Sequence, residues 1–261
     1  EGTLGFITEI NLKLHGRPEA ISAGVCTFKD LKGAIDTVIE SIQVGLPLSR
    51  IELLDEVQIK AINQYKKVSH EIGPTLFVEI QGMPLSVKEQ SEIFRDIAEA
   101  NNILKFQWSD RSEEIEVLWS ARHDAYYAAL ALAPGKKAFT TDICVPISNL
   151  TDCIIETKKD IEQSNIIAPI VGHVGDGNFH LIMLLDPENK KEVSEAKQLN
   201  DKLVNRALKM EGTSTGEHGI GIGKKEFLKT EQGLSVEIMS QIKKAIDPKN
   251  IMNPGKIFDI N

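Results

Sequence analysis

From residue 5 onward, Phe6, Thr8, Ile10 and Leu12 alternate with Ile7, Glu9, Asn11 and Lys13, a period-2 pattern that predicts a strand over 5–13. A second strand is predicted over 21–28. The spacing of Leu31, Ala34, Ile35, Val38 and Ile39 then predicts a helix over 30–44, ended by Gly45 and Pro47. The same reading gives strands over 50–54, 75–81 and 103–108, with helices over 57–65 and 86–100 between them. A long Ala-rich helix over 113–132 carries Trp119, Arg122 and Tyr126. Beyond it come a strand over 139–145, a helix over 149–162, a hairpin of 168–173 with 178–185, and helices over 192–210 and 234–246. Repeated strand–helix–strand units predict an α+β fold: a ferredoxin-like antiparallel sheet with helices mainly on one face, plus a helical C-terminal segment.

Composition narrows the function classes. With 41% hydrophobic and 26% charged residues, the 261-residue chain can bury an ordinary core. A net charge of -8 argues against a nucleic-acid partner, which needs a basic surface. No apolar run approaches the roughly 18 residues of a membrane span. Residues 1–5 carry no signal-peptide pattern and no initiator Met. The chain opens inside a strand-like run, so it is expected to be part of something longer. Cys26, Cys144 and Cys153 have no paired spacing and are expected to be structural thiols in a reducing compartment.

The most informative segment is Gly172-His173-Val174-Gly175-Asp176-Gly177-Asn178-Phe179-His180. Asp-Gly between apolar strands signals a two-residue hairpin turn. With Asp176-Gly177 in the turn, His173 lies directly opposite His180, with Cβ atoms about 4.5–5.5 Å apart. A turn at Gly177-Asn178 would instead set His180 opposite Gly175. Glu217 supplies a third ligand candidate and His218 a fourth polar group. Two histidines and a carboxylate leave open positions for substrate, and they suit Zn, Mn or Fe. The glycine-rich run 216–225 fails as a phosphate loop, because His218 occupies the position of its first glycine and Lys225 follows Lys224. Its glycines fit a backbone that passes close to a flat cofactor or beneath the metal site.

Together the 172–180 segment, Gly216-Glu217-His218-Gly219 and Asn253-Pro254-Gly255-Lys256 resemble the C-terminal domain of FAD-linked oxidases. That group includes the cytochrome-linked D-lactate dehydrogenases, the D-2-hydroxyglutarate dehydrogenases and the glycolate oxidase flavoprotein subunit. Residues 2–9 resemble the end of that family's flavin domain.

The resemblance implies residues 1–14 as the end of an FAD-binding domain and 15–228 as a substrate domain with the metal site. Residues 229–261 would form a helix and tail packed on the flavin domain. It implies His173, His180 and Glu217 as metal ligands, His218 as the base, Arg122 as the anchor of the substrate carboxylate and Asn178 as a further substrate contact. Gly5 and Asn253 become flavin contacts. In the hydroxyglutarate enzymes a small hydroxylated residue is expected where Tyr126 stands and a Lys where Thr140 stands, so a short D-2-hydroxy acid such as D-lactate is favoured.

The implied cofactors are FAD and a divalent metal. The implied electron acceptor is cytochrome c, a quinone or an electron-transfer flavoprotein, and the setting stays open between a bacterial cytoplasm, including its membrane surface, and a mitochondrion. An apolar face meant for the flavin domain would mimic a dimer interface, which leaves a homodimer open. A metal-dependent hydrolase and a non-catalytic ferredoxin-like binding module are the alternatives from other classes.

Overall fold

Apolar periodicity becomes regular structure in β1 (Ala20–Phe28), α1 (Leu31–Gln43), β2 (Leu48–Leu54), α2 (Glu56–Lys66), β3 (Thr75–Gly82), α3 (Pro84–Ala100) and β4 (Ile103–Ser109) in the computed structural model, which describes residues 1–260. Two helix starts are set by aspartates. Asp30 accepts from the Gly33 amide and Asp55 from the Gln58 amide, each at 2.8 Å. Such caps contribute about 0.5–2 kcal/mol each. Downstream come α4 (Ser112–His123), α5 (Ala125–Ala131), β5 (Lys137–Thr140), β6 (Ile143–Cys144), α6 (Leu150–Glu162), β7 (Ile170–Gly172), β8 (Asn178–Leu185) and α7 (Lys190–Lys209). The chain closes with α8 (Lys225–Gln232) and α9 (Ser235–Ile246).

The strands form one eight-stranded sheet in the order β4-β1-β3-β2-β7-β8-β5, with β6 also paired to β8. Every ladder among the described residues is antiparallel. The longer helices α1, α3, α6 and α7 bury Ile35, Phe94, Ile154 and Leu203 against Phe28, Leu53, Leu76 and Leu181 on one face. The shorter α2, α4 and α5 pack Ile62, Trp119 and Ala128 against Leu54, Phe77, Val171 and Ile182 on the other. A smaller cluster of Ile220, Leu228, Val236 and Phe258 joins α8 to α9 and the tail. No helix among the described residues is long and apolar enough to cross a membrane.

Four expectations are corrected. Residues 5–13 form no strand: Phe6, Ile7, Ile10 and Leu12 are all more than 60% exposed, and a strand needs a ladder partner that this chain does not supply. The long helix over 113–132 is two helices, broken at Asp124, whose carboxylate pairs with Lys66 of α2. The strand over 139–145 is interrupted at Thr141-Asp142: the Thr141 amide still donates to the Leu181 carbonyl at 3.1 Å, but the return bond runs from the Leu181 amide to Thr141 Oγ1 at 2.9 Å. Helix α8 lies in a stretch where no helix was expected. Of the three thiols, Cys26 and Cys153 are buried and pushed up by that burial, whereas Cys144 is only half-buried.

The tail is tied back by Asp247, which pairs with the buried Lys243 ammonium and accepts from the amides of Met252 (2.8 Å) and Ile251 (3.1 Å). The Lys243 hydrogen bond, with those amides, holds the Asp247 carboxyl down at about 2. A carboxyl depressed in the folded state stabilises fully above its unfolded value, near 3.9, and the contribution is lost as pH falls through the folded value. We expect the protection of the Ile251 and Met252 amides, relative to their intrinsic exchange at each pH, to fall between about pH 4 and 2. Asp247→Asn should show the reduced protection already at neutral pH; unchanged protection in that variant would contradict this role.

Candidate metal and substrate site

The hairpin brings His173 and His180 together in a register other than the expected one. Val171, not His173, stands opposite His180. After Gly172 the chain makes a 3-10 turn over Val174–Asp176 and closes through Gly177 at φ 78°, so the connection is longer than a two-residue turn. The slip is two residues, which preserves the face on which a side chain lies. His173 therefore becomes a diagonal neighbour of His180, and the ring centroids are 5.7 Å apart with planes at 83°.

Position 180 has a partner on its other side as well. Strands β5 and β6 share one register on β8, Thr140 with Ile182 and Ile143 with Phe179. Carried through the interruption, that register sets Asp142 across from His180. The Asp142 carboxylate is 1% exposed and collects five donors: Asn178 Nδ2 (3.0 Å), Thr215 Oγ1 (2.8 Å), the amides of Glu217 (3.2 Å) and His218 (2.9 Å), and Lys224 Nζ (3.1 Å). Burial alone would raise this carboxyl, but the hydrogen bonds from His218, Thr215 and Asn178, with the positive charge of Lys224, outweigh it and hold the group well below the usual carboxylate range. Asp142 thus fastens the glycine-rich loop to the sheet. Gly216 permits the approach, since a Cβ there would lie 2.0 Å from Asn178 Nδ2.

So anchored, the loop delivers Glu217. Its Oε1 lies 3.1 Å from His180 Nε2, 3.5 Å from His173 Nε2 and 3.6 Å from His218 Nε2. The ligand atoms of His173, His180 and Glu217 all lie within 4.8 Å of one another. Asp142, His180 and His218 form a second group at similar spacing, but Asp142 is already saturated by its five donors.

Tautomers separate the roles of the imidazole nitrogens. His180 Nδ1 lies 2.8 Å from the Thr141 carbonyl and His173 Nδ1 lies 2.7 Å from Glu52 Oε1. Both partners only accept, so each Nδ1 carries the proton and each neutral ring presents its Nε2 lone pair toward Glu217. Burial lowers the His180 imidazole, which favours that neutral form. The Glu52 hydrogen bond raises His173 despite its partial burial. A lone pair 3.1 Å from a carboxylate oxygen is repulsive until a positive charge stands between them. The donor set of two imidazole nitrogens and one carboxylate suits a divalent cation.

The remaining expected residues fall at varied distances from this centre. His218 is half-exposed and stacks on His180, 5.1 Å between centroids. Arg122 of α4 binds Glu52 Oε2 through Nη2 (3.0 Å) and Nε (3.2 Å). Asn178 donates to Asp142 and to the Ile143 carbonyl, leaving its buried Oδ1 without a partner. Thr140 lies opposite Ile182, two residues along β8 from His180 and on the same face. Tyr126 is exposed on α5, edge-on to Tyr127. Asn253 donates to the Glu1 carbonyl, and the Glu1 carboxylate accepts from the Ile220 and Gly221 amides, so both termini meet at the glycine-rich loop. Gly5 has no neighbour within 4 Å of its Cβ position. The sequence reading missed Glu52 and Asp142. The signal available for Asp142 was an acidic residue inside an apolar strand, which demands partners when buried.

A family model described as FAD linked oxidases, C-terminal domain, matches residues 17–257. Over the whole chain the protein is 47% identical to a probable mitochondrial D-lactate dehydrogenase of Danio rerio, covering 52% of that relative. Over 99% of the chain it is 42% identical to a mitochondrial D-lactate dehydrogenase [cytochrome] of Arabidopsis thaliana, covering 46% of it. The chain spans about half the length of these curated relatives. Among solved structures, 4-ethylphenol oxidase from Gulosibacter chungangensis in its isoeugenol complex superposes with a TM-score of 0.72 at 16% identity, over 95% of this chain and 55% of that one. That likeness extends to the fold. With its helix-covered antiparallel sheet and a family match spanning most of its length, the chain belongs to the FAD linked oxidases and carries their C-terminal domain.

Proposed function

We propose that this chain is the substrate-binding part of an FAD- and divalent-metal-dependent D-2-hydroxy acid dehydrogenase that oxidises D-lactate to pyruvate. The observation that carries the reading is the convergence of His173 Nε2, His180 Nε2 and Glu217 Oε1, with both Nδ1 atoms already committed to acceptors. When bound, the cation would acidify the substrate hydroxyl and FAD would accept the hydride from C2.

His218 takes up the hydroxyl proton at Nε2. Its half-exposed ring reaches the front of the site while its backbone stays fastened to Asp142. Arg122 holds the substrate carboxylate through the guanidinium edge that Glu52 leaves free. Asn178, whose buried Oδ1 has no partner in the protein, is assigned as a further substrate contact. Thr140 and Tyr126 offer no positive charge to a second carboxylate.

Gly5 and Asn253 are assigned to the flavin side, with residues 1–14 as the end of the flavin domain, 15–228 as the substrate domain and 229–261 as the segment that packs back. Exposed Phe6 and Ile7, and the stripe Leu234, Ile238, Ile242 and Ile246 along α9, support a face that another domain covers. The names of both relatives favour a mitochondrial setting, and that of the Arabidopsis thaliana relative favours a cytochrome as electron acceptor.

The test joins the chain to its flavin-binding half and measures dye-coupled turnover of D-lactate, glycolate and D-2-hydroxyglutarate. A missing charge-assisted partner costs about 1.5–3 kcal/mol, so D-lactate should lead hydroxyglutarate by roughly ten- to a hundredfold in kcat/KM. The 261-residue chain alone should give no turnover. Preference for hydroxyglutarate, or D-lactate oxidation by the flavin-free chain, would sink the reading.

A further inference from the structure

Glu52 lies on β2, two strands from β8 in the sheet, and no expectation from the sequence touched it. Its carboxylate contacts both the proposed ligand His173 and the proposed anchor Arg122. Oε1 stands 2.7 Å from His173 Nδ1, and Oε2 accepts from Arg122 Nη2 at 3.0 Å and Nε at 3.2 Å. The side chain is 12% exposed and that of Arg122 16%, so both contacts are shielded from water. Glu52 shares its sheet face with Leu54, and α4 brings Arg122 down onto that face.

We propose that Glu52 is a positioning residue that sets the geometry of the metal ligand His173 and of the substrate anchor Arg122 at once. The inference rests on the metal reading above. For His173, a carboxylate at Nδ1 keeps the proton on that nitrogen, so Nε2 presents its lone pair toward His180 and Glu217. Without that acceptor the imidazole is free to protonate at Nε2 or to rotate about Cβ, and either change takes a ligand away. For Arg122, one oxygen receives Nε–H and one Nη2–H, while Nη1 has no hydrogen-bond partner among the described residues. The guanidinium is therefore held by one edge and can offer Nη1 with the outer Nη2–H to a carboxylate bidentately. A single carboxylate thereby fixes the distance between the cation-binding nitrogen and the carboxylate-binding fork. A 2-hydroxy acid needs that spacing to be rigid, because its hydroxyl and carboxylate sit on adjacent carbons.

Glu52→Gln separates this role from simple packing. The amide keeps size and shape but has one acceptor, so it can serve His173 or Arg122 and must turn its NH2 toward the other. Apo protein titrated with Zn2+ or Mn2+ should bind about 10–100-fold more weakly in Glu52→Gln, with an unchanged circular dichroism spectrum. His180→Ala, measured alongside, should abolish binding.

A second readout needs no metal. Above the titration of His173, the 15N shifts of wild-type apo protein should report a protonated Nδ1 and a bare Nε2, and Glu52→Gln should shift toward mixed tautomers. Wild-type affinity in Glu52→Gln, with binding lost in His180→Ala, would overturn the role of Glu52 while leaving the metal site intact. A protonated Nε2 in wild-type protein would overturn it too. Failure of wild-type protein to take up either ion, with His180→Ala indistinguishable from it, would overturn the metal reading and the ligand half of this proposal with it.

Discussion

Replacing His180 with alanine should abolish binding of the proposed divalent cation, lowering affinity by more than the roughly 10–100-fold that outer-shell changes cost. The expectation follows from position. His180 is 4% exposed, its Nδ1 is committed to the Thr141 carbonyl, and its Nε2 makes the shortest approach to Glu217 of the three histidines. Burial lowers the imidazole, so the lone pair is available for ligation near neutral pH. The substitution also orphans the buried Thr141 carbonyl, which costs about 1–3 kcal/mol, so some loss of stability is expected beside the loss of metal. Glu217→Gln separates the two effects, because Glu217 is half-exposed and its removal empties no core position. Both variants should fail to retain metal by elemental analysis after dialysis, and only His180→Ala should unfold earlier. Metal content equal to wild type in both would show that the cluster is not the ligand set.

The largest effect on stability is expected at Asp142. Its carboxylate accepts from two backbone amides, two side chains and the Lys224 ammonium, all from segments remote in sequence. Asp142→Ala leaves those donors unpaired beside a partly buried cation, and breaking a buried pair of this kind costs about 3–5 kcal/mol. For a chain of this size that corresponds to a fall in Tm of roughly 10 °C. The melt should be recorded in chelator, since metal binding to the folded form would otherwise raise the apparent stability. The loop that carries Glu217 and His218 is held by the same carboxylate, so metal affinity should fall in parallel. A Tm within about 2 °C of wild type would remove Asp142 from this role.

Much of the fold was legible because local pattern and final packing agree. The Leu31, Ala34, Ile35 and Val38 stripe faces the core as its spacing implied, and β1, β3 and β4 match the predicted runs to within a residue or so. What failed depended on partners distant in sequence. Residues 5–13 carry a strand pattern with no strand beside them. Helix α4 ends at Asp124, whose carboxylate pairs with Lys66 of α2. Strand 139–145 breaks where Asp142 turns from the ladder to the loop 215–218.

The site divides in the same way. His173, His180 and Glu217 were visible as residue types in two glycine-rich segments, and their convergence holds although the hairpin register differs from expectation. A slip of two residues spares the face, whereas a slip of one would have sent His173 to the opposite side. Glu52 and Asp142 were not visible, because a lone acidic residue in a strand announces neither its burial nor its partners. Both organise the site from neighbouring strands, where only the sheet order brings them into reach.

The most direct test of the central claim is anomalous diffraction from crystals of the protein grown with Zn2+. The account predicts one strong peak about 2.0–2.2 Å from His173 Nε2, His180 Nε2 and a Glu217 carboxylate oxygen, with Nδ1 of each histidine still turned to Glu52 and Thr141. A peak coordinated by Asp142 and His218, or no ordered peak among these side chains, would contradict it.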